Sequence, residues 1–134
     1  MKQIALVLTL VVACGGLLAC QPVPSYSGSG LFAANCSSCH GVYGEGDGPV
    51  AAALRVPMMD LRYLAARNDG KFPTDLVYKI IDGRELRVAH GRRNMPVWGE
   101  EFLIAEGFDA GAEARVSAKI SAVVSHLEGM QLPE

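Results

Sequence analysis

The chain has little net charge. Twelve Lys and Arg against fourteen Asp and Glu leave −2 at pH 7 over 134 residues, and the acidic excess grows by one once Lys2 is set aside with the N-terminal segment. A protein whose main task is gripping nucleic acid carries a basic face, so that class is excluded. Charged residues are few at 19%, while 15 Gly and 7 Pro point to many loops and not to disorder. Long apolar runs are missing as well. The uncharged stretch 4–19 contains Gly15-Gly16 and is shorter than the roughly 20 residues a membrane span needs. Size and pattern exclude polytopic membrane proteins, repeat solenoids and multi-domain enzymes, since one domain takes about 100–200 residues. No nucleophile elbow and no carboxylate pair in a defined setting is visible, so no catalytic group presents itself. What remains is one domain with a thin core.

The N-terminus reads as an address. Met1-Lys2 followed by the uncharged stretch 4–19 has the build of an export signal. Leu17-Leu18-Ala19-Cys20 resembles a bacterial lipoprotein lipobox, with Leu18 where a smaller or β-branched residue is usual. The resemblance implies cleavage before Cys20 and acylation of that cysteine. Cys14 is a second candidate, but it leaves a short apolar region. Residues 1–19 are then the signal peptide, and 20–29, rich in Pro, Ser and Gly, a lipidated flexible tether. The domain proper is 30–134. Gln21 after Cys20, with no Asp there, slightly favours the outer membrane over the inner.

Cysteine is scarce in what is left. With Cys14 and Cys20 assigned to the leader and anchor, only Cys36 and Cys39 remain, in Cys36-Ser37-Ser38-Cys39-His40. This is the attachment motif of c-type haem. Residues i and i+3 share a helical face, so both thiols can reach the vinyl groups of one porphyrin, with the His40 imidazole on the same side to meet the iron. A thioredoxin-like dithiol wants an alternation of strands and helices, which is missing. A closed zinc site needs four ligands, commonly two such pairs, and beyond the motif the exported chain has no further cysteine and only His90 and His126.

Carriers of c-type haem commonly complete the iron with methionine. Met95 stands in Arg92-Arg93-Asn94-Met95-Pro96-Val97-Trp98-Gly99, read as a loop in which Pro96 biases Met95 toward an extended backbone. With these residues the chain resembles a class I cytochrome c, closest to the single-haem domains of bacterial oxidase and dehydrogenase subunits. The resemblance implies an all-α, small cytochrome c fold of three to five helices around one covalently bound haem c. It makes Cys36 and Cys39 the thioether positions, His40 the proximal iron ligand and Met95 the distal one. Met58 and Met59 are then core beneath the haem, and Met130 lies beyond the last helix. His90, in a polar run, is a lesser candidate for the distal place. Gly44-Glu45-Gly46-Asp47-Gly48-Pro49 lacks the Lys-Ser/Thr ending of a phosphate-binding loop. In the family such a loop follows the haem motif, and a carbonyl at Pro49 or a neighbour accepts the His40 N–H. Trp98 is expected against the haem edge.

Gly28, Phe32 and Cys36 follow the family's spacing for the first helix, with Gly28 at a close helix crossing and Phe32 as the packing knob. Its counterpart is a helix over 112–128, where Val116, Ile120, Val123, Val124 and Leu127 recur at helical steps. His126 stands where many relatives have tyrosine and is read as a helix-packing or surface residue, not a ligand. Thr74 is expected to cap a helix whose apolar face is Leu76, Val77, Ile80 and Ile81 and which ends at Gly83. A short turn is expected over 51–54. Arg84, Arg87, Arg92 and Arg93 form either a solvated loop with one Arg near a haem propionate or a docking patch that speeds encounter.

Three functions follow from this reading. The first is a periplasmic, membrane-anchored electron carrier with His/Met ligation, passing electrons between a redox donor and acceptor such as an oxidase, a dehydrogenase or a quinol-oxidising complex. The second is a haem c subunit bound within such a complex. The third is a haem sensor or peroxidase, which requires an open sixth position that Met95 would close.

Overall fold

The computed structural model describes residues 24–54, 57–84 and 95–133. The described residues form helices and turns without a strand, so the expected all-α class is what is found. Five helices follow in chain order: α1 (Gly28–Asn35), α2 (Ser37–His40), α3 (Thr74–Asp82), α4 (Trp98–Glu106) and α5 (Ala112–Gly129). Short 3-10 turns at Ala51–Ala53, Leu61–Tyr63 and Ala66–Asn68 punctuate the stretch between α2 and α3.

α5 is the axis of the domain. Its positions 116, 120, 123, 124 and 127 repeat at three- and four-residue steps and are all buried, as a helix facing a core requires. α1, α3 and α4 each pack on it, contributing Phe32, Val77, Ile81 and Phe102 to one core. The α1–α5 crossing is a close backbone approach. A β-carbon at Gly28 would stand 2.0 Å from the carbonyl oxygen of Ala122, so only glycine fits there. Phe32, one turn on, is 2% exposed, and its ring lies 5.4 Å from that of His126. His126 therefore packs a helix pair, as expected.

Several boundaries differ from the sequence reading. α1 begins at Gly28, the residue that the family spacing put on the first helix, so its first two residues overlap the stretch 20–29 taken as tether; the Ser27 hydroxyl accepts a hydrogen bond from the Gly30 N–H at 3.1 Å and caps the helix. Thr74 does not cap α3; it is the first helical residue after Pro73, and its side chain makes no capping bond. Pro73 has no N–H to satisfy, and the Thr74 N–H donates to the Phe72 carbonyl at 3.0 Å. Gly83 closes α3 at φ 70°, as expected. Only Val77 and Ile81 of its apolar face are buried in the core, while Leu76 and Ile80 remain exposed. Met58 is half-buried and Met59 52% exposed, outside the buried cluster around α5. Trp98 and Gly99, assigned to a loop, open α4. Glu100 and Glu101 in its first turn and Gly107 after its end are an ordinary helix signature that could have found it.

The chain end is latched to the middle of the domain. Gln131 Nε2 donates to the carbonyls of Leu61 (2.9 Å) and Leu127 (2.7 Å), and its Oε1 accepts from the Ala65 N–H at 2.9 Å. Leu61 N–H in turn donates to Gly44 O at 2.7 Å. These bonds tie the 61–65 stretch, α5 and the glycine-rich loop into one frame around α2.

Candidate functional site

Cys36 is the pivot between α1 and α2, ending one helix and opening the next. Its carbonyl accepts from the N–H groups of Cys39 (3.1 Å) and His40 (2.9 Å), which winds the motif into a single helical turn. The following loop is fastened to that turn by backbone. Gly46 N–H donates to His40 O at 2.8 Å and Val50 N–H to Ser38 O at 3.0 Å. Gly48 lies so close that a β-carbon there would meet Ser38 O at 2.5 Å and the carbonyl carbon of Cys39 at 2.6 Å. The glycines of this loop therefore serve close backbone approach to the Cys-His turn.

Two apolar clefts open beside this turn. One is lined by Cys36, Cys39, His40, Met58, Met95, Pro96 and Trp98 among others and has a volume of about 100 Å³. The other, of about 230 Å³, is lined by Phe32, Met59, Leu61, Leu64, Ile80 and core residues of α3 and α5. Cys36, His40 and Met95 line both clefts, so residues 55 positions apart in sequence meet at a shared wall. Met58, Met59 and Ile80, which the core leaves uncovered, face these clefts. Leu54, Leu61 and Leu64 also line them, and no sequence motif singled them out.

Burial sets the electrostatics. It pushes the Cys36 thiol up to about 11, with Cys39 adding a smaller push. A redox dithiol works through a depressed thiol pKa, so the environment is unlike that of a thioredoxin-type pair. Burial also holds the His40 imidazole below the ordinary histidine value, keeping it neutral at pH 7 and able to donate a lone pair to a metal. Among the described residues, His40 Nδ1 is a buried side-chain nitrogen without a hydrogen-bond partner. The expected bond to a carbonyl at or near Pro49 is thus not made. Pro49 is exposed, and the loop spends its hydrogen bonds on backbone groups of α2 instead.

Met130 caps α5 and packs against the core, with its sulfur 3.4 Å from where a β-carbon of Gly44 would stand. Trp98 is half-buried, its ring 5.6 Å from Phe102. Arg84 is engaged by Asp82 at 2.6 Å and Glu113 at 2.9 Å, so it does not belong to a free docking patch. Arg87, Arg92, Arg93, His90, Cys14 and Cys20 lie outside the described residues. Two thiols, a neutral imidazole with an unpartnered nitrogen, a thioether and walls of aliphatic carbon fit a flat apolar macrocycle carrying a metal of intermediate softness.

Residues 26–110 match the family described as cytochrome C oxidase, cbb3-type, subunit III. No curated protein and no solved structure matches the chain. Among the described residues no helix is long and apolar enough to cross a membrane.

Proposed function

For a chain that belongs to the family of cbb3-type cytochrome c oxidase subunit III, and is thus a c-type cytochrome domain serving haem-based electron transfer, we propose a single covalently held haem c with His40 and Met95 as its two protein ligands. The observation that carries this reading is the shared wall: Cys36, His40 and Met95 line both apolar clefts together. When bound, the iron porphyrin supplies a one-electron ferric/ferrous couple. The chain's own work is to hold and insulate it. Cys36 and Cys39, presented by one helical turn, are the thioether positions. His40 offers a neutral imidazole because its surroundings disfavour the cation. Met95 offers a soft sulfur that favours the ferrous state more than imidazole does and so raises the potential. Leu61, Leu64, Ile80, Met58 and Met59 keep water from the ring, and Trp98 and Pro96 border its edge. With both ligand places supplied by protein, the domain passes electrons and binds no substrate.

In this proposal the carrier is exported by residues 1–19 and held to the periplasmic side of a membrane by acylated Cys20, more favourably the outer membrane. Its donor and acceptor are redox proteins. A second reading, a haem subunit resident in a terminal oxidase, is supported by the family being that of an oxidase subunit. Purification of the native protein separates the two: a complex that survives mild detergent is the subunit, and a lone chain is the carrier.

The ligand assignment is tested by NMR of the reduced protein. A coordinated Met methyl should be shifted far upfield by the porphyrin ring current and should vanish in Met95→Ala, which should also bind carbon monoxide readily. A wild type without that resonance, or a Met95→Ala variant that keeps it, overturns the assignment. Ready binding of carbon monoxide by the wild type would favour the sensor reading.

A further inference from the structure

The end of α3 and the start of α4 meet at one carboxylate. A β-carbon placed on Gly99 would stand 1.8 Å from Asp82 Oδ1 and 2.6 Å from Arg84 Nε. The Asp82–Arg84 pair therefore lies directly on the backbone of the first turn of α4. That turn has no side chain of its own as a cap, its N-cap being Val97, and the unpaired N–H groups of a helix start favour a nearby negative charge. Asp82 is held in place by a two-point grip, Arg84 Nε to Oδ1 at 2.6 Å and Nη2 to Oδ2 at 3.2 Å. Arg84 is in turn held by both oxygens of Glu113, at 2.9 and 3.0 Å, from the first turn of α5. The chain of contacts runs from the axis helix through Glu113, Arg84 and Asp82 to Gly99. Four residues before Gly99 stands Met95, separated from α4 only by Pro96 and Val97.

We propose that Asp82, oriented by Arg84 and Glu113, is a positioning residue for the thioether of Met95: it seats the first turn of α4 and thereby sets where Met95 meets the haem site. The inference rests on Met95 being the distal ligand. Gly99 is the other half of the device, because any side chain there would expel the carboxylate. A Met–iron bond is weak enough to be displaced by added imidazole, so small errors in the anchorage of Met95 become measurable. A misplaced turn loosens Met95 without dissolving the core, since Ile120, Val123 and Leu127 are buried about two turns or more beyond Glu113 on α5.

The test uses the full-length, haem-loaded protein in the ferric state, titrated with imidazole while the far-red thioether–iron band is followed. Asp82→Asn and Gly99→Ala should each lower the imidazole concentration for half-displacement by about five- to tenfold. Glu113→Gln, at an exposed position, should lower it about twofold. Asp109→Asn, which breaks an ion pair with Arg115 at the other end of α4, should leave it unchanged. Helical melting of Glu113→Gln should match the wild type, so that its effect reads ligand retention and not fold. Unchanged half-displacement in Asp82→Asn and Glu113→Gln overturns the inference while the ligand assignment stands. Should Asp82→Asn fail to load haem, Glu113→Gln decides alone. If the band is missing in the wild type or survives in Met95→Ala, the ligand assignment itself has failed.

Discussion

At Cys36 and Cys39 the side-chain chemistry and the local backbone agree. Both thiols rise from one turn closed by the carbonyl of Cys36, and desolvation keeps the Cys36 thiol protonated. The Cys36→Ala/Cys39→Ala double variant should retain no haem on a denaturing gel, and haem stain surviving there would refute covalent attachment through these residues. Gly28 is the second residue whose identity geometry dictates. Gly28→Ala inserts a methyl group where the Ala122 carbonyl already stands, and overpacking of that kind costs about 1–3 kcal/mol. The melting temperature should fall accordingly, and an unchanged one would mean the helices can part freely. The Cys-x-x-Cys-His spacing and the Gly28-Phe32-Cys36 series were readable in sequence because each depends on neighbours within two helical turns. The hydrogen-bond state of His40 was not, because it depends on where the loop after it directs its carbonyls.

At the scale of elements, α4 and α5 are joined by a charged corner. Gly107 and Phe108 both take positive φ, and Glu106, just before them, pairs with Arg115 and Lys119. Lys119 also lies 5.4 Å from the ring centres of Tyr26 and Phe102, so one ammonium gathers α4, α5 and the approach to α1. The Glu106 carboxyl is held below the usual glutamate range, first by Lys119 and then by Arg115. A depressed folded pKa contributes stability above the unfolded value of about 4.3, lost as pH falls through the folded value. Urea unfolding should therefore show wild type more stable than Glu106→Gln at pH 7, with the gap closing as pH drops below about 4. A gap of constant size across that range would show that ionisation of Glu106 contributes nothing. The helix over 98–106 escaped the sequence reading because Gly99 and a weak apolar repeat masked it. α5 was legible because its apolar positions, 116 to 127, repeat over about three turns.

At the scale of the whole molecule, a c-type cytochrome domain turns part of its apolar lining toward two clefts, which the proposal fills with the haem. Met59, Leu76 and Ile80 are more than a third exposed, and Met59 and Ile80 line the larger cleft. The remaining question at this scale is where the molecule sits. Mass spectrometry of the mature protein should find acyl chains on Cys20, and Cys20→Ala should either move the protein to the soluble periplasmic fraction or leave it unprocessed. An unmodified Cys20 in the wild type would remove the lipid anchor from the proposal.

What the sequence determined by itself was mostly local: the haem motif, the span of α5 and the end of α3 at Gly83 rest on spacing within a few turns, where chain geometry decides which side chains share a face. The first helix and the kinship with cytochromes c rested on resemblance to the family. What only the tertiary structure decided was which distant residues share a wall. It brought Met95 to the same clefts as Cys36 and His40, withdrew Arg84 into ion pairs with Asp82 and Glu113, and set Met58 and Met59 along those clefts. It also left His40 Nδ1 without the Pro49-region acceptor. These outcomes follow from how α3, α4 and the loop after the motif pack around α5, and that packing is set by contacts between residues far apart in the chain.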